Sequence, residues 1–137
     1  MNNFTRSGIL FVVSAPSGTG KTTLCSNVRQ TPDLVYSVSC TTRPIRKGEK
    51  DGADYYFVSK GEFEKKIKAG DMLEHADVYG HSYGTPKGPI LEHLAAGRDV
   101  LLDIDVQGAR QIRDSKDPKI REALADIFIM PPDLEEL

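Results

Sequence analysis

Residues Gly8 to Ala15 read G-I-L-F-V-V-S-A, a continuous apolar run that passes directly into P-S-G-T-G-K-T. The run has strand length and is rich in β-branched and aromatic residues, the composition of a strand covered on both faces. The glycines that follow force a tight turn, and Lys21 to Gln30 has the character of a helix. A buried strand, a glycine-rich turn and a helix in that order begin a parallel α/β unit, because a helix must carry the chain back before the next parallel strand.

The turn itself carries chemistry. Residues 15–22, A-P-S-G-T-G-K-T, match the P-loop pattern G-x-x-x-x-G-K-[ST] at every specified position but the first, where Ala15 stands for glycine. Ala15 can serve there if its φ is negative. In such a loop the backbone N–H groups converge on phosphate oxygens, and Gly18 and Gly20 let the chain approach them closely. Ala15, Pro16, Ser17, Gly18, Thr19, Gly20, Lys21, Thr22 and Thr23 are therefore the expected residues for the nucleoside triphosphate, which the resemblance given below makes ATP. Lys21 brings a point charge to the β- and γ-phosphates, and the Thr22 hydroxyl faces a Mg²⁺ ion. A P-loop also needs a carboxylate on a neighbouring strand to hold the metal's water shell. Asp103 closes the apolar run Val100-Leu101-Leu102 and meets that need. Asp99 to Asp105 reads as one strand, so Asp103 and Asp105, two apart, are expected to face the same way at its carboxyl end.

Elsewhere the chain alternates strands and helices. Tyr36 to Cys40 reads as a short strand, Arg43 to Asp54 as a charged Gly/Pro-rich excursion, and Tyr55 to Val58 as a returning strand. Ser59 and Glu62 form a capping box ahead of a helix that closes at Gly70, with Phe63 and Ile67 inward and Lys65, Lys66 and Lys68 solvated. Met72 to Tyr79 and His81 to Tyr83 read as a hairpin turning at Gly80. Thr85 to Ala96 reads as a helix stopped by Gly97, Val106 to about Asp114 as another, and Lys116 to Ala125 as a helical connection. Ile127 to Met130 reads as a third core strand, and Pro131-Pro132-Asp133 opens a last helix. The expected fold is α/β, a parallel sheet with helices on both faces.

Composition narrows the alternatives. A net charge of −2 supplies no basic footprint for nucleic acid. No stretch approaches the roughly 20 apolar residues of a membrane span, and the polar start from Met1 to Ser7 lacks the features of a signal peptide, so a cytoplasmic protein is expected. Cys25 and Cys40 match no C-x-x-C pattern and read as reduced structural thiols; with His75, His81 and His93 they form no zinc-site spacing.

An ordered series of motifs then resembles the guanylate kinase family: S-V-S-C-T-T-R-P-I-R-K-G-E at 37–49, D-Y-Y-F at 54–57, L-E-H-A at 73–76, Y-G-T at 83–85 and L-D-I-D-V-Q-G at 102–108. The resemblance implies a P-loop nucleoside monophosphate kinase core at 1–34 and 99–137, with a small mixed α/β GMP-binding lobe and return helix at about 35–98. It implies transfer of a phosphoryl group from ATP to GMP, giving ADP and GDP, with Mg²⁺. Position by position it assigns Ser39, Arg43, Arg46, Tyr55 and Tyr83 to the GMP phosphate and its surroundings, Glu74, Thr85 and Asp105 to guanine, and Gly84 to the same pocket. Lys21 and Arg43 are the implied catalytic pair, and Thr22 and Asp103 the metal residues. These assignments suit the side chains. Two guanidinium forks flanking Pro44 match a phosphate dianion, and tyrosine hydroxyls can donate to the same oxygens. A carboxylate such as Glu74 accepts from the N1–H and 2-amino group of guanine.

The resemblance also implies an arginine-bearing lid, a last strand and final helices beyond Pro131-Pro132, which the 137 residues do not include. The chain is therefore expected to be a fragment that binds GMP better than it turns over ATP, and that could associate with a second copy of itself. Two competing readings are a guanylate-kinase-like module that binds partner peptides without catalysis, and a P-loop kinase with another acceptor. An intact Gly20, Lys21, Thr22 and Asp103 favours the enzyme, and Glu74 with Asp105 favours guanine.

Overall fold

A computed structural model describes residues 6–15, 26–27 and 30–130 of the 137-residue chain. The apolar run forms strand β1, Leu10–Ser14, between β7 (Asp99–Asp103) and β8 (Leu124–Phe128), with β2 (Leu34–Tyr36) on the far side of β7. All the pairings in this sheet are parallel. One face presents Leu10, Val12, Val100 and Leu102, packed against Ile90 and Leu94 of α2 (Lys87–Ala95), Ala109 and Ile112 of α3 (Val106–Arg113) and Ile120 of α4 (Pro118–Ala123). Each of the valine, leucine and isoleucine side chains among these stabilises the fold by about 1.5–3 kcal/mol on burial. On the other face Val13 and Leu101 are buried, with Phe11, Leu34, Tyr36 and Ile129 against them. The helix expected from Lys21 to Gln30 lies mostly outside the described residues; Ser26 and Asn27 are helical.

A second, mixed sheet runs β4 (Tyr56–Phe57), β3 (Cys40–Thr41), β6 (His81–Pro86), β5 (Met72–Val78). Between β4 and β5 lies α1, Lys60–Lys68, whose Ser59 side chain accepts from the Glu62 N–H as the capping motif requires. Phe63 is its buried anchor. The β5–β6 hairpin turns on Tyr79 (φ 49°) and Gly80 (φ 80°), the two positive φ values of a type I′ turn. A bulge between Met72 and Glu74 breaks the hairpin register. Its consequence is local and large. Leu73 turns into the main core while the adjacent Glu74 is buried too, which strict alternation forbids.

Four expected boundaries move. Tyr36 to Cys40 is not one strand: β2 ends at Tyr36 in the large sheet, β3 begins at Cys40 in the small one, and Ser37 still donates to the Leu101 carbonyl (2.9 Å) before the chain crosses. Thr85 and Pro86 belong to β6, and α2 starts at Lys87. The physical reason is Pro86, which disfavours helical backbone at the residue before it. β7 ends at Asp103, and Asp105 is the N-cap of α3, accepting from the Gly108 N–H at 2.7 Å. β8 begins at Leu124 rather than Ile127, because Leu10 to Ser14 pair with Leu124 to Phe128. It is also not a core strand throughout, since Ile127 and Phe128 are 41% and 45% exposed. The helix expected at Pro131-Pro132-Asp133 lies outside the described residues. Cys40 is a buried free thiol, its pKa raised by burial; Cys25 lies outside the described residues. Among the described residues no helix is long and apolar enough to cross a membrane.

Candidate functional site

The carboxyl end of β7 and the inner side of the small sheet enclose a cavity of about 330 Å³. Ser39, Tyr55, Glu74, Ala76, Val78, Tyr83 and Gly84 line it from the small-sheet side, and Asp103, Ile104 and Asp105 from the core side. Seven of the site residues expected from the sequence thus meet in one place: Ser39, Tyr55, Glu74, Tyr83, Gly84, Asp103 and Asp105. Asp103 and Asp105 reach it by different routes. Asp103 ends the strand opposite Val13, whereas Asp105 arrives as a helix cap, so the shared-face argument gives way to a loop geometry with the same result.

Glu74 is the chemically informative member. It is only 7% exposed, and its Oε1 accepts from the Thr85 hydroxyl at 2.7 Å. Burial raises its pKa; the Thr85 bond opposes that rise, and the nearby Asp105 adds to it. An ionised carboxylate has about four lone-pair sites, so one hydroxyl leaves capacity for further N–H donors. Thr85 does not line the cavity; its hydroxyl bonds Glu74, which does. Gly108 of α3 is packed so closely that a Cβ there would come within 2.8 Å of Glu74 Oε2. Gly84 is equally constrained, with 3.0 Å from an added Cβ to Met72 Sδ and to Phe63 Cζ.

Arg43 stands behind the cavity wall. Its guanidinium lies 5.3 Å from the Tyr55 ring centroid and 5.7 Å from that of Phe57, and Tyr55 meets Tyr83 edge-to-face at 5.8 Å. Its Nη1 and Nη2 donate to the two carboxylate oxygens of Glu49, both at 2.9 Å, and Nη1 also donates to the Pro44 carbonyl. The bidentate bond to Glu49 raises the Arg43 pKa, burial opposes it, and the Tyr83 hydroxyl adds to the rise. The same bond, with the Arg46 N–H donating to Glu49 Oε1 at 2.8 Å, lowers the Glu49 pKa to about 2. One edge of the Arg43 fork is thus held by a neighbour rather than open to a ligand. Arg46 is exposed and does not line the cavity; its backbone N–H bonds Glu49, and its charge also helps lower the Glu49 pKa.

Residues 16–23 of the phosphate-binding motif, including Lys21 and Thr22, lie outside the described residues. Ala15 is placed: it is buried one residue beyond β1, where Ser14 accepts from the Ile129 N–H. Two residues not singled out in the sequence make bonds beside the site: Glu49 holds Arg43, and Gln111 of α3 bonds the backbone of His75, next to Glu74. No local pattern marks the first, because its return to Arg43 depends on the turn at Gly48, whose φ is 89°. The partner of the second is a backbone unit 36 residues away along the chain.

The guanylate kinase family model matches residues 7–137. A guanylate kinase of Clostridium tetani is 51% identical over 130 residues, covering 95% of this chain and 60% of that protein. One from Symbiobacterium thermophilum is 50% identical over 131 residues, with 95% and 60% covered. A crystal structure of guanylate kinase from Anaplasma phagocytophilum aligns with TM-score 0.74 at 40% identity, covering 96% of this chain and 64% of that one. This chain therefore spans about three fifths of the length of the curated relatives it matches.

Proposed function

Because the chain belongs to the guanylate kinase family, we propose that its cavity binds GMP and that the protein transfers the γ-phosphoryl group of ATP to it, giving GDP and ADP. The observation that carries this reading is Glu74: a buried carboxylate, held by one internal hydroxyl, at a cavity whose other wall carries Asp105. Guanine offers an N1–H and a 2-amino group to such an acceptor. Adenine has no N1–H, and would leave part of the desolvated carboxylate unpaired.

On this reading Ser39, Tyr55, Tyr83 and Gly84 surround the GMP phosphate and sugar, and Arg43 and Arg46 supply positive charge to it. Glu74, with Thr85 orienting it, and Asp105 read the base. The second pKa of a phosphate monoester is about 6, so the acceptor oxygen is largely anionic at neutral pH and needs no general base. That oxygen attacks the γ-phosphorus while the bond to the β-phosphate oxygen breaks. The chain's contribution is positioning and charge: residues 15–23 cradle ATP, Lys21 offsets charge on the moving group, and Arg43 anchors the acceptor. Mg²⁺, when bound, supplies further neutralisation of the triphosphate. Thr22 and, through water, Asp103 would hold it; the carboxylate of Asp103 at the end of β7, opposite Val13 and close to Ala15, suits that ion's preference for oxygen ligands. The division of labour follows the expected segments, with 1–34 and 99–137 as the ATP-binding core and about 35–98 as the GMP lobe and the helix that returns to the core, in a cytoplasmic enzyme.

Titration of the chain with GMP, AMP and ATP separately tests the reading. GMP should bind on the order of 100-fold more tightly than AMP. Glu74→Gln should erase most of that gap while leaving ATP binding unchanged. Equal affinity for GMP and AMP would rule the assignment out, and a failure to hold ATP would favour a peptide-binding module instead.

A further inference from the structure

Strand β5 is the outer strand of the small sheet among the described residues, so one edge of its backbone has no strand beside it there. At His75 that edge is occupied by a side chain. Gln111 of α3 accepts from the His75 N–H at 3.0 Å and donates to the His75 carbonyl at 2.8 Å. The two bonds require the amide oxygen at one backbone group and the amide nitrogen at the other, so a single orientation satisfies both. The primary amide does the work of a neighbouring strand for one residue, and that residue follows Glu74.

The same face of α3 carries the rest of the arrangement. Gly108 and Gln111, three residues apart, share one side of α3, and Asp105 caps its start. Asp105 caps the helix and raises the pKa of Glu74 by proximity; Gly108 abuts Glu74 Oε2; Gln111 grips the next backbone unit. The helix belongs to the core and the strand to the small sheet, so their relative position sets the gap between the two carboxylates. Leu73 already ties β5 to the core by apolar packing, but such packing is not directional and permits sliding. Two hydrogen bonds to one residue do not.

We propose that Gln111 is a positioning residue for base recognition, holding the strand that carries Glu74 in register with the helix that carries Asp105. The inference rests on the GMP reading above. Gln111 is exposed, so its replacement leaves the core intact. Gln111→Ala and the near-isosteric Gln111→Met should each weaken GMP binding roughly tenfold, the scale of one displaced charge-assisted hydrogen bond. They should also shrink the preference for GMP over inosine monophosphate, which lacks the 2-amino group. Calorimetric titration of both nucleotides gives affinity and binding stoichiometry together. Affinities within twofold of the parent and an unchanged GMP preference would overturn the inference and leave the GMP reading standing. So would a fall in stoichiometry at constant preference, which marks a structural role, or full recovery in Gln111→Met, which marks packing. A parent chain that does not bind GMP would sink both.

Discussion

The two sheets bury different kinds of side chain. In the large parallel sheet Leu10, Val12, Val100 and Leu102 are almost wholly enclosed, and Ser14 is the buried polar residue. Around the small mixed sheet the buried residues include Thr41, Arg43, Glu74 and Thr85, every one with a hydrogen-bond partner: Thr41 accepts from the Arg43 N–H, Arg43 holds Glu49, and Thr85 holds Glu74. The large sheet gains its stability from apolar volume. The small one keeps polar groups out of water by pairing them, an arrangement that stabilises less but leaves directed donors and acceptors at a cavity. The difference teaches where recognition can be built: polar groups held in place by neighbours need no reorganisation when a ligand arrives.

Four substitutions test that contrast. Leu102→Ala should have the largest effect, about 2–5 kcal/mol lost in denaturant unfolding, and the loss should be nearly independent of pH. A loss that varies strongly with pH would break the contrast from the core side. Next comes Thr85→Val, which removes the hydroxyl donor from Glu74 and should cost about 1–3 kcal/mol at neutral pH. Glu74 already has a raised folded-state pKa. Its ionised form is therefore a burden above that pKa, and the burden is relieved as pH falls through it. The Thr85→Val penalty should shrink in the same window, and a penalty constant from neutral to acid pH would show that the bond does not serve the ionised carboxylate. Ser59→Ala, which removes the α1 cap, should cost about 1 kcal/mol in thermal unfolding without touching nucleotide binding. A change in GMP affinity would mean that α1 is coupled to the site. The last substitution, Glu49→Gln, is read through its pH dependence. The Glu49 pKa falls from 4.5 to about 2 in the fold, so its contribution is present above 4.5 and is lost as pH falls towards 2. Parent and variant should therefore converge in acid unfolding across that interval; parallel curves would show that Arg43 and Glu49 are not coupled in solution.

Much of the candidate site was legible because its residue types are scarce in a core. Asp103 and Asp105 stood out at the end of an apolar strand-like run, Glu74, Tyr55 and Tyr83 entered through the motifs that resemble the guanylate kinase family, and the cavity gathers all five. Arg43 was legible as a basic residue but its situation was not. Nothing in R-P-I-R states that Glu49 curls back to take both guanidinium nitrogens, because that depends on the turn at Gly48. Gln111 was illegible for a similar reason, since its partner is a backbone unit 36 residues away.

The sequence by itself determined the large sheet's central strands, the capped α1 and the hairpin, because each follows from local rules: apolar runs, a Ser-x-x-Glu cap, a glycine at positive φ. Only the tertiary structure decided the β5 bulge that buries Leu73 and Glu74 side by side, the switch of Asp105 from strand to helix cap, and the exposed outer half of β8. Those outcomes depend on which strand pairs with which and in what register. Pairing is settled between segments distant along the chain, where no local pattern reaches.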